Sequence, residues 1–191
     1  MNLLLLGPER PQLARFLKRQ GDSVQRTEAP LSPELDVLQG ADFLICYGYR
    51  EIIRSNILKR FPGSIINIHI SLLPWNRGSD PNLWSFLEET PKGVSVHLLD
   101  AGIDTGPLLC QREVTMVEED TLRSSYERLS TSAKILFMDN WKAIRVGQIQ
   151  CLPQPPGGTY HRARDLEPFQ HLLTDGWDTP VKDLIGKAKK A

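Results

Sequence analysis

Short apolar runs alternate along this chain with segments whose apolar residues recur at helical spacing, and the alternation predicts a β/α succession. The run Asn2–Leu6 reads as a buried strand. After Gly7-Pro8, Leu13, Phe16 and Leu17 fall on one side of a helix over residues 10–20, which Gly21 closes. A weaker strand over 23–26, a short helix over 33–38 and the apolar run 42–46 continue the pattern. Ile53, Ile57, Leu58 and Phe61 share a face, which predicts a helix over 52–61 ended by Pro62-Gly63. The β-branched stretch 64–68 then predicts a central strand, with Asn67 and His69 delivered at its carboxyl end. A helix over 81–89 opens with Pro in its first turn, and residues 94–98 and 108–114 read as two more strands.

Residues 120–146 form a long amphipathic pattern, started by Asp120 or Thr121 and stopped by Gly147. Leu122, Leu129, Ile135, Leu136 and Trp141 give it an apolar face, free to serve the core or a homodimer. The remainder is irregular and rich in Pro and Gly, and the closing Lys187, Lys189 and Lys190 read as a frayed end. The expected fold class is α/β, a Rossmann-like, mostly parallel twisted sheet flanked by helices. Residues 1–150 are expected to form the catalytic domain and 151–191 an extension packing on or near the active site.

Composition narrows this picture. A chain of 191 residues suffices for one domain with a buried core and is too short for two complete ones. Lysine and arginine total 23, as do aspartate and glutamate, and the zero net charge gives no support to general polyanion binding. No nucleic acid partner is expected. The opening apolar run lacks a basic region and stops after four leucines, too short for a signal peptide or a membrane span. Cys46, Cys110 and Cys151 are widely spaced and show no C-x-x-C pairing, so neither a disulfide framework nor a metal site is expected, and a reducing cytoplasm is the simplest home.

The candidate chemistry lies in two stretches. Residues i and i+2 of a strand share a face, so Asn67 and His69 would point together at the carboxyl edge of the sheet, where ligands of open α/β folds bind. An amide N–H and an imidazole there suit the oxyanion of an acyl transfer to an amine. The loop after them contains Leu73-Pro74, a candidate cis bond, and Arg77-Gly78. Asp104, between Gly102 and Gly106 in a bend joining two strands, is placed to return to the same edge. A carboxylate beside His69 would orient the imidazole, raise its basicity and relay a proton through water. His97, in a strand between Val96 and Leu98, reads as a satisfied histidine of the core or supporting the site rather than a catalyst, and Asp100 as a turn residue as readily as a ligand.

Residues 67–78, N-I-H-I-S-L-L-P-W-N-R-G, followed by 97–107, H-L-L-D-A-G-I-D-T-G-P, resemble the folate-dependent formyltransferases. The resemblance implies that Asn67, His69 and Asp104 occupy the family's catalytic positions and that N10-formyltetrahydrofolate is the donor. It further implies that the pterin lies against backbone near Cys46, Tyr47, Gly48 and Tyr49 and near Asp100 and Ile103.

Departures from that pattern bear on the acceptor. The first strand is followed by L-L-G-P-E-R rather than the glycine-rich phosphate loop of glycinamide ribonucleotide formyltransferases. The stretch beyond the long helix is too short for the C-terminal barrel of methionyl-tRNA formyltransferases. Residues 74–94 and 157–166 resemble short sugar N-formyltransferases and the formylation domain of the linear gramicidin synthetase. Two acceptors follow from the resemblance, the amine of a nucleotide-linked amino-sugar or an aminoacyl group on a carrier protein. The chain reads as free-standing, which favours the sugar. Ser71, Trp75, Arg77 and His161 are the substrate-side candidates, with His161, Arg162 and Arg164 facing a diphosphate or phosphopantetheine and Trp75 and Trp84 forming an apolar wall. A non-catalytic folate-binding module and a formyltetrahydrofolate hydrolase remain as rivals. Intact Asn67, His69 and Asp104 weigh against the module, and a chain that begins at its first strand weighs against a hydrolase with a preceding regulatory domain.

Overall fold

A computed structural model describes residues 1–32 and 35–189. In chain order the elements are β1 (Asn2–Leu6), α1 (Pro11–Arg19), β2 (Ser23–Thr27), β3 (Phe43–Cys46), α2 (Ser55–Arg60), β4 (Ile65–His69), β5 (Arg77–Gly78), α3 (Pro81–Leu87), β6 (Gly93–Leu98), β7 (Leu108–Glu113), α4 (Leu122–Arg145) and β8 (Tyr160–His161). The main sheet has six strands in the order β2-β1-β3-β4-β6-β7. Strands β2, β1, β3 and β4 pair in parallel, whereas β6 runs antiparallel to both of its neighbours. The mostly parallel α/β sheet is thus as the apolar pattern predicts.

The central strands are apolar on both faces because both are covered. Leu3, Leu5, Phe43, Ile45, Ile66 and Ile68 meet Leu13 and Leu17 of α1 and Leu129, Ala133, Phe137 and Trp141 of α4. On the other face, Leu4, Leu6, Leu44, Cys46 and Ile65 pack with Leu38, Ile57 and Phe61. Asn67 and His69 share the face of Ile65, so these two polar groups interrupt the second apolar layer where it reaches the sheet edge.

Several expectations need correction. The helix predicted over 52–61 is only Ser55–Arg60, with Arg54 extended before it and Ile52 79% exposed. The β-branched pair Ile52-Ile53 loses rotamer freedom in a helix and does not extend it. The helix predicted over 33–38 is a 3-10 turn at Asp36–Leu38, its start at Pro33 lying outside the described residues. Helix α4 is capped by Thr121, whose hydroxyl accepts from the Ser124 N–H while the Ser124 hydroxyl accepts from the Thr121 N–H. Its apolar face turns into the core, except that Ile135 is 41% exposed.

Lys187 and Lys189, expected to fray, lie in a segment that packs on α3. The amides of Gly186 and Ala188 donate to the Phe86 and Leu87 carbonyls at the end of α3, where the Phe86 carbonyl also accepts from the Glu89 N–H. Lys189 pairs with Glu89 at 3.0 Å, while Lys190 lies outside the described residues. Leu83, Trp84, Phe86 and Leu87 of α3 form a third apolar cluster with Leu122, Val181 and Leu184. No described helix is long and apolar enough to cross a membrane.

Candidate active site

Strand register assembles the site. Cys46 of β3 lies opposite Asn67 of β4, Asn67 lies opposite His97 of β6, and His69 lies opposite Ser95. Residues opposite one another on adjacent strands point to the same face, so Asn67, His69 and His97 gather there. Asp104 reaches them from the bend between β6 and β7. It adopts φ 54, a left-handed backbone that costs a non-glycine residue about 1 kcal/mol. The bend is tight, since a Cβ on Gly106 would stand 1.9 Å from the Leu98 carbonyl oxygen.

The Asp104 carboxylate is enclosed by donors. The Asn67 amide donates to Oδ1 at 3.0 Å and the Gly78 backbone N–H to Oδ2 at 2.9 Å. His69 Nδ1 stands 3.7 Å from Oδ2 and His97 Nε2 stands 3.5 Å from Oδ1. Burial opposes ionisation of this carboxyl, but the His69 charge, the His97 ring and the Gly78 amide outweigh it and hold Asp104 well below the ordinary carboxylate range. The other nitrogen of each ring meets a backbone oxygen, His69 Nε2 the Asn76 carbonyl at 3.0 Å and His97 Nδ1 the Leu98 carbonyl at 2.8 Å. Each imidazole therefore lies between a carbonyl and a carboxylate, and it can donate to both only when doubly protonated. Among the described residues no group of three or more His, Cys, Asp or Glu is arranged to hold a metal ion.

The remaining candidates fall around this cluster. Cys46 is buried, and burial followed by the Asp104 charge pushes its thiol far up the scale. Tyr47 is buried with Arg10 stacked over its ring at 4.3 Å, Gly48 takes φ 71, and the Tyr49 hydroxyl donates to Ala29 at 2.8 Å. Asp100 closes its own turn, accepting from Gly102 N–H and from the Thr105 hydroxyl, while Ile103 is 45% exposed. Ser71 is buried and donates to the Trp75 carbonyl at 2.7 Å. Trp75 is half-buried, and Arg77 donates to Gln154 and to the Gly157 carbonyl. His161 pairs through its backbone with Gly78, but its side chain is directed to α3. Its ring stacks on Trp84 with centroids 3.7 Å apart and meets Glu88 at 3.2 Å. Trp84 itself is 3% exposed, a core residue rather than the wall of a cleft.

Three neighbours of the catalytic candidates, Asn76, Gln154 and Thr159, are not singled out in the sequence, and Gly78 is read there only as a loop glycine. Asn76 supplies the carbonyl on His69, and its φ of 55 is a conformation that asparagine tolerates better than most residues. Gly78 supplies an amide to Asp104, Gln154 braces the bend by donating to the Asp104 and Gly106 carbonyls, and Thr159 bonds Asn76. An asparagine two residues before a glycine was a visible turn signal for the first pair. Gln154 and Thr159 carry no local signal.

The fold and this cluster together define a class, the α/β formyltransferases. The Leu73–Pro74 peptide in its loop is cis, as expected. The chain belongs to the formyl transferase family, whose model matches residues 13–140. It is similar over 99% of its length to the whole of the formyltransferase PseJ from Anoxybacillus kamchatkensis, with 53% identity and a TM-score of 0.96. That structure is a complex with UDP-4,6-dideoxy-4-formamido-L-AltNAc and tetrahydrofolate. A sugar N-formyltransferase from Shewanella sp. FDAARGOS_354 shares the fold at TM-score 0.77 and 20% identity, over 88% of this chain and 79% of that one. The methionyl-tRNA formyltransferase of Pelobacter propionicus is 28% identical over 97% of this chain and 52% of its own length. This chain spans about half the length, or less, of the curated relatives it matches.

Proposed function

We propose that this chain is an N-formyltransferase that moves a formyl group from N10-formyltetrahydrofolate to the primary amine of a nucleotide-linked amino-sugar. The observation that carries the reading is the end-to-end likeness to PseJ at 53% identity, a protein solved with a 4-formamido sugar nucleotide and tetrahydrofolate. The acceptor class that follows is a UDP-linked dideoxy sugar with its amine at carbon 4. Residues 1–150 serve as the catalytic domain and 151–191 as an extension packed beside it, a packing supported by the pairing of β8 with β5. A reducing cytoplasm suits three free cysteines and a folate donor.

The residues present fit such a donor. Gly48, at φ 71, and the glycine-bearing bend 99–106 offer backbone edges, and exposed Ile103 gives an apolar contact for a flat ring. Tyr47, Tyr49 and Asp100 hold these two backbone segments through bonds to Ser130, to Ala29 and within the turn. Bound there, the donor supplies an activated formyl carbon. Asn67 spends one amide hydrogen on Asp104 and keeps the other for an oxygen that gains negative charge. His69, held between Asn76 and Asp104, brings positive charge to the same place when doubly protonated. A carboxylate held as low as Asp104 is a weak base, so it acts first by anchoring Asn67 and the imidazoles, ahead of relaying a proton.

The test is incubation with N10-formyltetrahydrofolate and either UDP-linked 4-amino sugars or aminoacyl carrier proteins, with the acceptor scored by mass for one added formyl group. Reaction with the sugar nucleotide is expected. Reaction with carrier-bound substrates alone would move the acceptor to the other class, and formate release without an acceptor would make the protein a hydrolase.

A further inference from the structure

Asn76 is fully buried, left-handed, and supplies the carbonyl that meets His69 Nε2. Its conformation is held from outside its own loop. The Thr159 hydroxyl accepts from the Asn76 backbone N–H at 2.9 Å and donates to Asn76 Oδ1 at 3.2 Å. The Asn76 amide group donates in turn to the Thr90 hydroxyl at 2.7 Å. Around this pair the backbone is stitched as well, with Thr159 N–H on the Pro74 carbonyl and Arg77 N–H on the Thr159 carbonyl. The strands align there, since Arg77 lies opposite Tyr160 and Gly78 opposite His161. Neighbouring Gly158 has no room for a side chain, because a Cβ would stand 2.1 Å from the Pro74 oxygen.

We propose that Thr159, in the C-terminal segment, is a positioning residue for His69. Its hydroxyl bonds both the main chain and the side chain of Asn76, which fixes the direction of the Asn76 carbonyl. That carbonyl takes the Nε2 hydrogen of His69, and the ring is thereby turned so that Nδ1 faces Asp104. Without the hydroxyl, Asn76 keeps Thr90 but loses the partner of its backbone N–H, and its left-handed conformation is no longer enforced. The ring of His69 then loses the carbonyl that fixes its orientation. The effect on catalysis, though not the effect on the ring, rests on the formyltransferase reading.

Thr159→Val keeps the branched shape and removes the hydroxyl, Thr159→Ser keeps the hydroxyl, and Thr159→Ala repeats the deletion if valine is not accommodated. Two measurements apply to each. The first is the 15N NMR signal of the His69 ring nitrogens across a pH titration in the ligand-free protein, which needs no activity. The second is formylation kinetics. The expected result is a changed Nε2 signal and titration in Thr159→Val, a fall in kcat of about tenfold to 100-fold with KM nearly unchanged, and recovery of both in Thr159→Ser. A wild-type His69 signal in Thr159→Val and Thr159→Ala would overturn the proposal. A wild-type protein without formylation activity would sink the functional reading while leaving the NMR comparison to decide the role of Thr159.

Discussion

Asp104 combines a left-handed backbone with a carboxylate that faces four donor groups, and each of these constrains what the residue can do. Its pKa is depressed, so its native contacts stabilise the fold fully above the ordinary aspartate range near about pH 4 and are lost as the pH falls through that range toward the depressed value. Wild-type protein should therefore lose stability on acidification in a step that Asp104→Asn lacks, which denaturant melts between about pH 6 and about pH 3 would register. Asn67 gives one amide hydrogen to this carboxylate. Asn67→Ala is expected to lower kcat on the order of 100-fold or more, and a variant with full turnover would remove the oxyanion role. The legible residues were those inside short motifs. His97, read as a satisfied histidine of the core or supporting the site, is 1% exposed with Nδ1 bonded to backbone, and its second nitrogen faces Asp104. Strand alternation gave its face but could not reveal that a bend from further along the chain would deliver a carboxylate to it.

Among the elements, those with a clear period lie near their expected bounds. The apolar runs of β1 and β3 and the long pattern of α4 each carried enough repeats to decide their type. Thr121→Ala should remove the side-chain half of the α4 cap and cost about 1 kcal/mol, read as a lower denaturant midpoint at unchanged slope. The two-residue strands β5 and β8 have no period to detect, and they exist because each supplies the other's hydrogen bonds. Gly78 sits where they meet, at φ 87, with the position of a Cβ only 2.2 Å from the His161 oxygen. Gly78→Ala should force the strands apart, destabilise the protein by more than about 1 kcal/mol and move the amide that Asp104 accepts. Thermal melting and turnover measured together would show both losses, and a variant with wild-type values in each would contradict the pairing.

At the scale of the whole molecule, the C-terminal segment is part of the packing. It covers α3, takes up that helix's last carbonyls and stacks His161 on Trp84. Trp84→Ala should leave a cavity between α3 and this segment and cost about 3 kcal/mol, measurable by chemical denaturation. If stability were unchanged, the segment would be no more than a surface cover. The sequence by itself determined the α/β class, the strand that carries Asn67 and His69, and the glycine-flanked bend of Asp104, because spacing and glycine content are local properties that survive in one dimension. Tertiary structure alone decided that His161 and Trp84 turn inward, that β6 reverses direction, and that Gln154 and Thr159 brace the site. Those outcomes depend on hydrogen bonds and apolar contacts between residues far apart in the chain, and no local pattern encodes which distant partner a side chain will meet.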